Sequence, residues 1–379
     1  MSPTLHVDNL EYATKCRVNR KVIVVAGKSC GHIYPALSFI DALKEKYKDA
    51  EVLLILPKEN AIKNKQEFNC QVKHISFSPL RPGFDLNNIE CFSKLIEACF
   101  QAIFIISDFN PNAVVGFGSL ISVPFVMCSW LFRVKTFVHE QNVVCGRANR
   151  FLAKFCDKIA ISFIDSKKYL TVNKKKIVLT GNPIRKELTN IDKNKALGFL
   201  GLGQNKFTIL VMGGSQGAHS INKEFLKCMI SLKGKFNLQV IHLCGNIDYD
   251  ILIEGYKDLG INFKVFTFLE QMHYAYSGSD LVVSRAGAIS VSEIAYFKIP
   301  VIFVPYPYAY EHQLSNALVL KEKGCAIVID QKEFNAESLR LILEPLITDA
   351  EILKNMRLAF EGIPKYNAAE SLVREVMPL

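Results

Sequence analysis

Between Leu281 and Val304 the chain sets small residues, a cation and a carboxylate where they could hold a phosphorylated ligand. The turn Ser284-Arg285-Ala286-Gly287-Ala288 follows an apolar run, Leu281 to Val283, and opens a helix-length segment that leads to a second apolar run, Val301 to Val304. N–H groups at a helix start lack partners within the helix and sit at the positive end of its dipole, so an anion is favoured there, phosphate foremost. Glu293 follows Ser290 by three residues on one helix side, where its carboxylate could accept two hydrogen bonds from a ribose diol, each worth about 1.5–3 kcal/mol. A solvated helix face is the plain alternative for this glutamate.

A second group follows the strand-type run Val22 to Ala26. Gly27-Lys28-Ser29-Cys30-Gly31-His32 leads to Pro35, which suits the first turn of a helix reaching about Lys46. A P-loop is excluded, because that motif needs glycine at position 22, where Val22 stands. The His32 imidazole titrates near neutrality and could take a proton from a hydroxyl; equally, it could be a helix-start histidine bonded to backbone. Gly116-Phe117-Gly118-Ser119 and His139-Glu140-Gln141-Asn142 end later strands, where ligands collect in open α/β sheets. A structural histidine and a capping asparagine would account for half of the latter group. Gly213-Gly214-Ser215-Gln216-Gly217-Ala218 repeats the strand, glycine turn and helix order. Tyr310-Glu311-His312-Gln313 with Asn316 opens a further helix, in reach of a base or sugar. Asp248-Tyr249-Asp250 has the form of a short metal-holding motif, but after Gly245-Asn246 Asp248 reads as a helix cap, and no protein-bound metal is expected.

The elements that must position these groups are strand-type runs alternating with helical segments. Val22–Ala26, Glu51–Leu56, His74–Phe77, Ala113–Val115, Thr136–His139, Lys158–Ile161 and Ile177–Leu179 form one series. Phe207–Val211, Leu238–Leu243, Phe263–Phe266, Leu281–Val283, Val301–Val304 and Ala326–Ile329 form another, after a charged stretch from Lys186 to Gln204 that reads as the hinge. Such alternation predicts two α/β domains, each a doubly wound, mostly parallel sheet covered on both faces. The 379 residues, half of them hydrophobic, suffice for two cores. Residues 1–20 read as an N-terminal extension, charged and without the apolar run of a signal peptide.

A formal net charge of +10 points to an anionic partner. Nucleic acid is disfavoured, since the basic residues are dispersed and the dense run Lys174-Lys175-Lys176 adjoins Asn173 in a loop. Eleven cysteines, an odd number without a C-x-x-C pair, indicate free thiols in a reducing compartment, the cytoplasm. The uncharged stretch Phe109 to Phe132 is broken by Asn110, Pro111, Asn112, Gly116, Gly118 and Pro124 and does not suit a membrane span. Phe84, Ile89, Phe92, Leu95, Ile96, Phe100 and Ile103, with Arg81 and Lys94, and then Trp130 to Lys135, have the mix of a peripheral contact with an anionic membrane; ordinary core is the alternative.

Taken in order, these motifs resemble the MurG family of glycosyltransferases, family 28 of the B-fold enzymes. The resemblance runs from about Val22 to beyond Asn316, through the loops at Gly27–Pro35 and Val115–Ser119, the HEQN segment, Gly181–Arg185, Gly213–Ala218 and the donor signature Arg285–Glu293. It implies two Rossmann-like domains facing a cleft: an acceptor and membrane domain over 21–185, joined by a C-terminal helix in 365–379, and a UDP-GlcNAc domain over 186–364. The implied reaction is metal-free, cofactor-free, inverting transfer of N-acetylglucosamine from UDP-GlcNAc to the muramoyl 4-hydroxyl of lipid I, giving lipid II at the cytoplasmic face of the membrane. Proteins of cell-wall synthesis and division are the further candidate partners.

The resemblance places donor contacts at Ser29, Gly31, Asn142, Arg185, Ser215, Gln216, Leu269, Met272, Arg285, Ala288, Ser290, Glu293, His312 and Gln313. His32 is the implied base, with Glu140 the second candidate, and Lys28, Gly118 and Ser119 would meet the acceptor. Two departures from the family pattern stand out: Lys28 and Cys30 replace loop glycines, and His312-Gln313 stands where family members often carry Gln-Gln. Three other readings remain: a B-fold enzyme glycosylating another lipid, a UDP-GlcNAc 2-epimerase, or a binding protein that has lost transfer.

Overall fold

The computed structural model describes residues 20–58, 68–76, 87–214, 217–307 and 312–377. Its first sheet comprises β1 (Lys21–Val25), β2 (Glu51–Pro57), β3 (Gln71–Ile75), β4 (Ala113–Gly116), β5 (Lys135–Glu140), β6 (Lys158–Ile161) and β7 (Ile177–Leu179), in the order β3-β2-β1-β4-β5-β6-β7. The second comprises β8 (Phe207–Met212), β9 (Leu238–Leu243), β10 (Asn262–Phe266), β11 (Leu281–Ser284), β12 (Val301–Phe303) and β13 (Ala326–Val328), in the order β10-β9-β8-β11-β12-β13. All pairs in both sheets are parallel. The central strands read as unbroken apolar runs because helices bury both of their faces. Val22–Val25 and Leu281–Val283, for example, are 0% exposed.

Each sheet reverses its winding at one place, and the glycine turns lie there. Val25 pairs with Gly116, so the loops after β1 and β4 leave the first sheet side by side. Met212 pairs with Ser284, so the loops after β8 and β11 do the same in the second. The gap between diverging crossovers at such a point is where open α/β sheets take ligands.

One strand departs from expectation. β3 runs from Gln71 to Ile75, earlier than the expected His74–Phe77, and Phe77 lies outside the described residues. It is an edge strand with only Ile75 buried, so an apolar run is a poor guide to it.

The hydrophobic cores divide along the chain. Two clusters draw on residues between Val22 and Leu170, and the one around Phe39 and Leu43 also takes in Leu372, Val373 and Val376 from the helix Ala368–Val376. Two others draw on residues from Leu188 to Phe360. The C-terminal helix thus buries its apolar face on the first sheet's side, against the helix Cys30–Lys46.

Two buried histidines tie loops to these cores. His139 Nε2 lies 3.1 Å from the Gly181 carbonyl and Nδ1 3.2 Å from Gln141 Nε2. His242 meets the Tyr256 hydroxyl at 2.8 Å and Asn222 Oδ1 at 3.0 Å. Burial lowers His139 from 6.5 to about 4 and His242 to about 3. Each therefore takes up a proton near 6.5 in the unfolded chain but only well below that when folded. From pH 6.5 downward the unfolded state binds more protons, and stability falls by about 1.4 kcal/mol per pH unit per histidine until the folded values are reached. Glu293, raised by burial, works in the opposite sense. The urea midpoint is expected to decline between pH 6.5 and 5; a flat midpoint over that range contradicts buried neutral imidazoles.

Candidate active site between the two sheets

A cavity of about 380 Å³ lies where the carboxyl ends of the two sheets face each other. From the first domain it is lined by Ser29, Cys30, Gly31, His32, Tyr34, Gln141, Asn142 and Arg185. From the second it is lined by the loop after β8 at Gly214, the apolar group Leu243, Phe268, Leu269 and Met272, the turn and helix Gly287–Glu293, and His312 and Gln313.

Two helix starts open on it. The helix Ala288–Phe297 is capped by Gly287 with no side-chain bond and has no acidic residue in its first turn. Among its first amides, those of Ala288, Ile289 and Ser290 precede the first intrahelical bond, made by Val291 N to Gly287 O. The helix Cys30–Lys46 likewise has no side-chain cap at Ser29 and no first-turn acid. Both dipoles favour negative charge in the space between them.

His32 is held by close contacts on the side of Gly27 and Gly118 while its ring also lines the cavity. Nδ1 lies 3.0 Å from Ser29 Oγ. A Cβ on Gly27 would stand 2.5 Å from Ser119 Cβ and 2.8 Å from His32 Nδ1, and one on Gly118 would stand 3.2 Å from Nε2. Gly118 also has φ +85°, a region side chains resist. Burial lowers His32 to about 4, so the ring is neutral at pH 7. With the tautomer that donates from Nδ1 to Ser29, Nε2 keeps its lone pair and faces the Gly118 turn.

Glu293 is 5% exposed and its carboxylate has two partners. The Tyr276 hydroxyl donates to Oε2 at 2.7 Å, and the Arg185 guanidinium stands 3.6 Å from Oε1. Burial pushes the carboxyl upward while Arg185 and Tyr276 pull it down. Arg185 also lies over the Tyr34 ring at 4.6 Å and donates to the Glu270 carbonyl.

The cavity gathers Ser29, Gly31, His32, Asn142, Arg185, Leu269, Met272, Ala288, Ser290, Glu293, His312 and Gln313 among the residues expected to act together. Ser215 and Gln216, like Tyr310 and Glu311, lie outside the described residues. Five others stand apart from its wall. Lys28 is exposed on the loop before His32, while Gly118 packs against the His32 ring and Ser119 against Gly27.

Glu140 does not stand where a base would. It is 1% exposed, and Oε1 accepts from Asn142 N and Nδ2 at 2.9 and 3.3 Å while Oε2 accepts from Gly146 N and Asn149 Nδ2, both at 2.9 Å. All four donors belong to the loop and helix that follow it, so this carboxylate shapes the loop. Arg285 is also turned from the cavity: it donates to the Val304 carbonyl at 2.9 Å and to Ser220 Oγ at 3.0 Å, beside the Tyr306 ring. Burial lowers it to about 10, which leaves it cationic.

Asp248 corrects another expectation. It occupies the cap position of Tyr249–Lys257 without a cap bond, because its carboxylate turns to His219 Nδ1 and Asn222 Nδ2, each at 2.7 Å. Among the described residues, no cluster of three or more His, Cys, Asp or Glu could hold a metal ion. A larger crevice, about 1440 Å³, opens between Asn182, Lys298 and Tyr366, and the glycine turns do not line it.

Residues 22–161 match the glycosyltransferase family 28 N-terminal domain, and residues 208–372 the glycosyltransferase family 28 C-terminal domain. A Halothermothrix orenii protein named UDP-N-acetylglucosamine–N-acetylmuramyl-(pentapeptide) pyrophosphoryl-undecaprenol N-acetylglucosamine transferase is 33% identical over 93% of this chain and 97% of its own length. The chain belongs to glycosyltransferase family 28. A Desulfitobacterium hafniense protein of the same name is 34% identical to this family 28 chain over 93% of it and 97% of the relative. Among solved structures, Acinetobacter baumannii MurG superposes with a TM-score of 0.76 at 24% identity, covering 95% of this chain and all of that one. A Neisseria meningitidis UDP-GlcNAc 2-epimerase bound to UDP-GlcNAc superposes with a TM-score of 0.64 at 14% identity, over 94% and 99% of the two chains, which is a likeness of fold. The two-domain B fold expected from the sequence is the fold of this family 28 glycosyltransferase.

Among the residues of the candidate site that were not anticipated are Tyr276 and Tyr34. Tyr276 carries no motif signal, and only the need of buried Glu293 for a donor could have suggested such a partner. Tyr34 lies two residues beyond His32 on the same helix, and its contact with Arg185 depends on where the chain returns after β7.

Proposed function

We propose that this glycosyltransferase moves N-acetylglucosamine from UDP-GlcNAc to the 4-hydroxyl of the muramoyl unit of lipid I, with inversion, giving lipid II and UDP. The observation that carries the reading is that one cavity holds His32 from the first sheet opposite uncapped amides and Glu293 from the second. Uracil lies against Leu269 and Met272, the ribose diol bonds Glu293, and the diphosphate meets the amides of Ala288 and Ser290. Arg185 leaves Glu293 far enough to serve the leaving phosphate.

In the transfer step, His32 Nε2 takes the hydroxyl proton as the acceptor oxygen bonds the anomeric carbon from the face opposite UDP. The bond from that carbon to the phosphate oxygen breaks, and its electron pair leaves on UDP toward the helix-start dipoles. The imidazolium is held by Ser29 Oγ through Nδ1 and by the anionic diphosphate. Lys28, exposed beside the Gly118 turn, supplies a cation for the acceptor's pyrophosphate. A single-turnover assay with radiolabelled donor and a lipid I analogue is expected to give labelled disaccharide-lipid and UDP. Epimerised free sugar nucleotide, or label on diacylglycerol alone, rules the reading out.

Attachment to an anionic membrane surface is supported by an apolar patch on the first domain. Phe100 and Phe104 on the helix Asn87–Phe109 are 60% and 72% exposed, and Leu131 at the end of the neighbouring helix Ser122–Leu131 is 66% exposed. Trp130, Phe155 and Phe151 continue it through ring contacts at 5.2 and 5.1 Å. Exposed Arg133, Lys135, Arg147, Arg150 and Lys154 surround it. Leu95 and Ile103 are partly buried instead, while Phe84 and Arg81 and the side chains of Ile89 and Phe92 lie outside what is described. Among the described residues no helix is long and apolar enough to cross a membrane. Phe104→Asp with Leu131→Asp is expected to weaken binding to phosphatidylglycerol vesicles about tenfold or more, and added salt to weaken it further. Co-sedimentation unchanged in the double variant places the contact elsewhere.

A further inference from the structure

Asn316 is 0% exposed, yet its carboxamide makes three hydrogen bonds that use both N–H donors and the oxygen, and two of its three partners belong to the other domain. It stands on the helix His312–Lys321 of the second domain. Oδ1 accepts from Val143 N at 3.0 Å, and Nδ2 donates to Asn142 Oδ1 at 3.1 Å and to the Ala286 carbonyl at 3.2 Å. Val143 and Asn142 belong to the loop after β5, and Ala286 to the turn after β11. Four residues earlier, His312 Nδ1 donates to the Val144 carbonyl at 2.8 Å. The helix therefore meets three consecutive residues of the first domain's loop.

The loop it meets is itself densely hydrogen-bonded. Glu140 binds it from within through four donors, Gln141 Nε2 donates to the Phe117 carbonyl, and Cys145 Sγ and Ser166 Oγ add bonds to its far side. Phe117 precedes Gly118, on which the His32 ring rests. The Ala286 turn, for its part, leads into the helix start and Glu293. One buried side chain thus links the loops that seat the candidate base to the turn that faces the donor.

Among uncharged side chains of this length, only a carboxamide accepts one backbone N–H while donating twice. Asp at this position would set a carboxylate against two oxygens, and Ala would leave a buried N–H and two acceptors unpaired. We propose that Asn316, seconded by His312, is a cross-domain positioning residue: it sets the separation between His32 and the donor's anomeric carbon when the cleft is shut. Asn316 was expected to contact base or sugar; its buried position and spent amide assign it this role instead. The inference rests on the cavity being the place of transfer.

The test compares the wild type with Asn316→Ala by calorimetry with UDP, steady-state transfer and small-angle scattering. Since a displacement of about 1 Å at reacting groups costs on the order of 10²-fold in rate, Asn316→Ala should lower kcat by about 30-fold or more, with the UDP Kd within about threefold and a larger radius of gyration. If the variant folds poorly, His312→Ala, on the partly exposed end of the same helix, should show the wider cleft to a smaller degree. A variant with unchanged radius of gyration and unchanged kcat overturns the proposal. So does a UDP Kd that rises as far as kcat falls, which would make Asn316 a donor contact. Absence of UDP binding by the wild type would instead overturn the proposed function, with cleft width still read by scattering.

Discussion

Replacement of His32 by alanine is expected to lower turnover by on the order of 10²–10⁴-fold while leaving the UDP Kd within about twofold. The imidazole lines the cavity but is bonded to Ser29 and packed on Gly118, so its loss removes a proton acceptor and little nucleotide contact. Its pH dependence separates this role from a structural one. Burial holds the free enzyme's His32 near 4, so the acid limb of kcat/KM should fall well below pH 6.5, with activity lost as the ring is protonated on going down in pH. In the donor complex the diphosphate's charge raises that value, and the acid limb of kcat should lie higher than that of kcat/KM. If His32→Ala instead abolishes UDP binding and spares turnover at saturation, the residue binds donor and another group is the base.

Glu293→Ala should produce the second large effect, on binding. Two charge-assisted bonds to a ribose diol, at about 1.5–3 kcal/mol each, correspond to roughly 10²–10⁴ in UDP affinity. The lower end is favoured, because the carboxylate must part from Arg185 and share Tyr276 when the ligand enters. The diagnostic comparison is UDP against its 2′,3′-dideoxy analogue by calorimetry. Wild type should strongly prefer UDP, and Glu293→Ala should bind the two nearly alike. A variant that loses affinity for both ligands in the same proportion has lost the shape of the helix start, and the ribose role is then wrong.

Several parts of this site were readable along the chain because their causes are local. A strand, a turn of small residues and a helix start follow one another within a few residues at Gly27–His32 and at Ser284–Ser290, and backbone geometry alone makes such turns accept anions. That both turns lie at winding reversals could only be seen from strand order, since parallel strands next to each other are far apart in sequence. Glu140 shows the opposite case. In sequence it is one more carboxylate beside a histidine; Asn142 nearby supplies two donors, and only the return of the chain at Gly146 and Asn149 supplies the other two.

Arg285 was misplaced for a similar reason: its side chain follows the Val304 carbonyl, which belongs to the next strand. β3 was shifted because an edge strand needs little apolar surface.

What the sequence determined by itself was the doubly wound α/β class, the two sheets, and the order of strand, glycine turn and helix start at the candidate site. Each of these rests on hydrophobic period and on turn residues acting over a few positions. The tertiary structure alone decided which polar groups remain free to act. A buried carboxylate, guanidinium or carboxamide takes whichever partners long-range folding brings to it, as Asn316 does with Asn142, Val143 and Ala286, and no spacing along the chain encodes that choice.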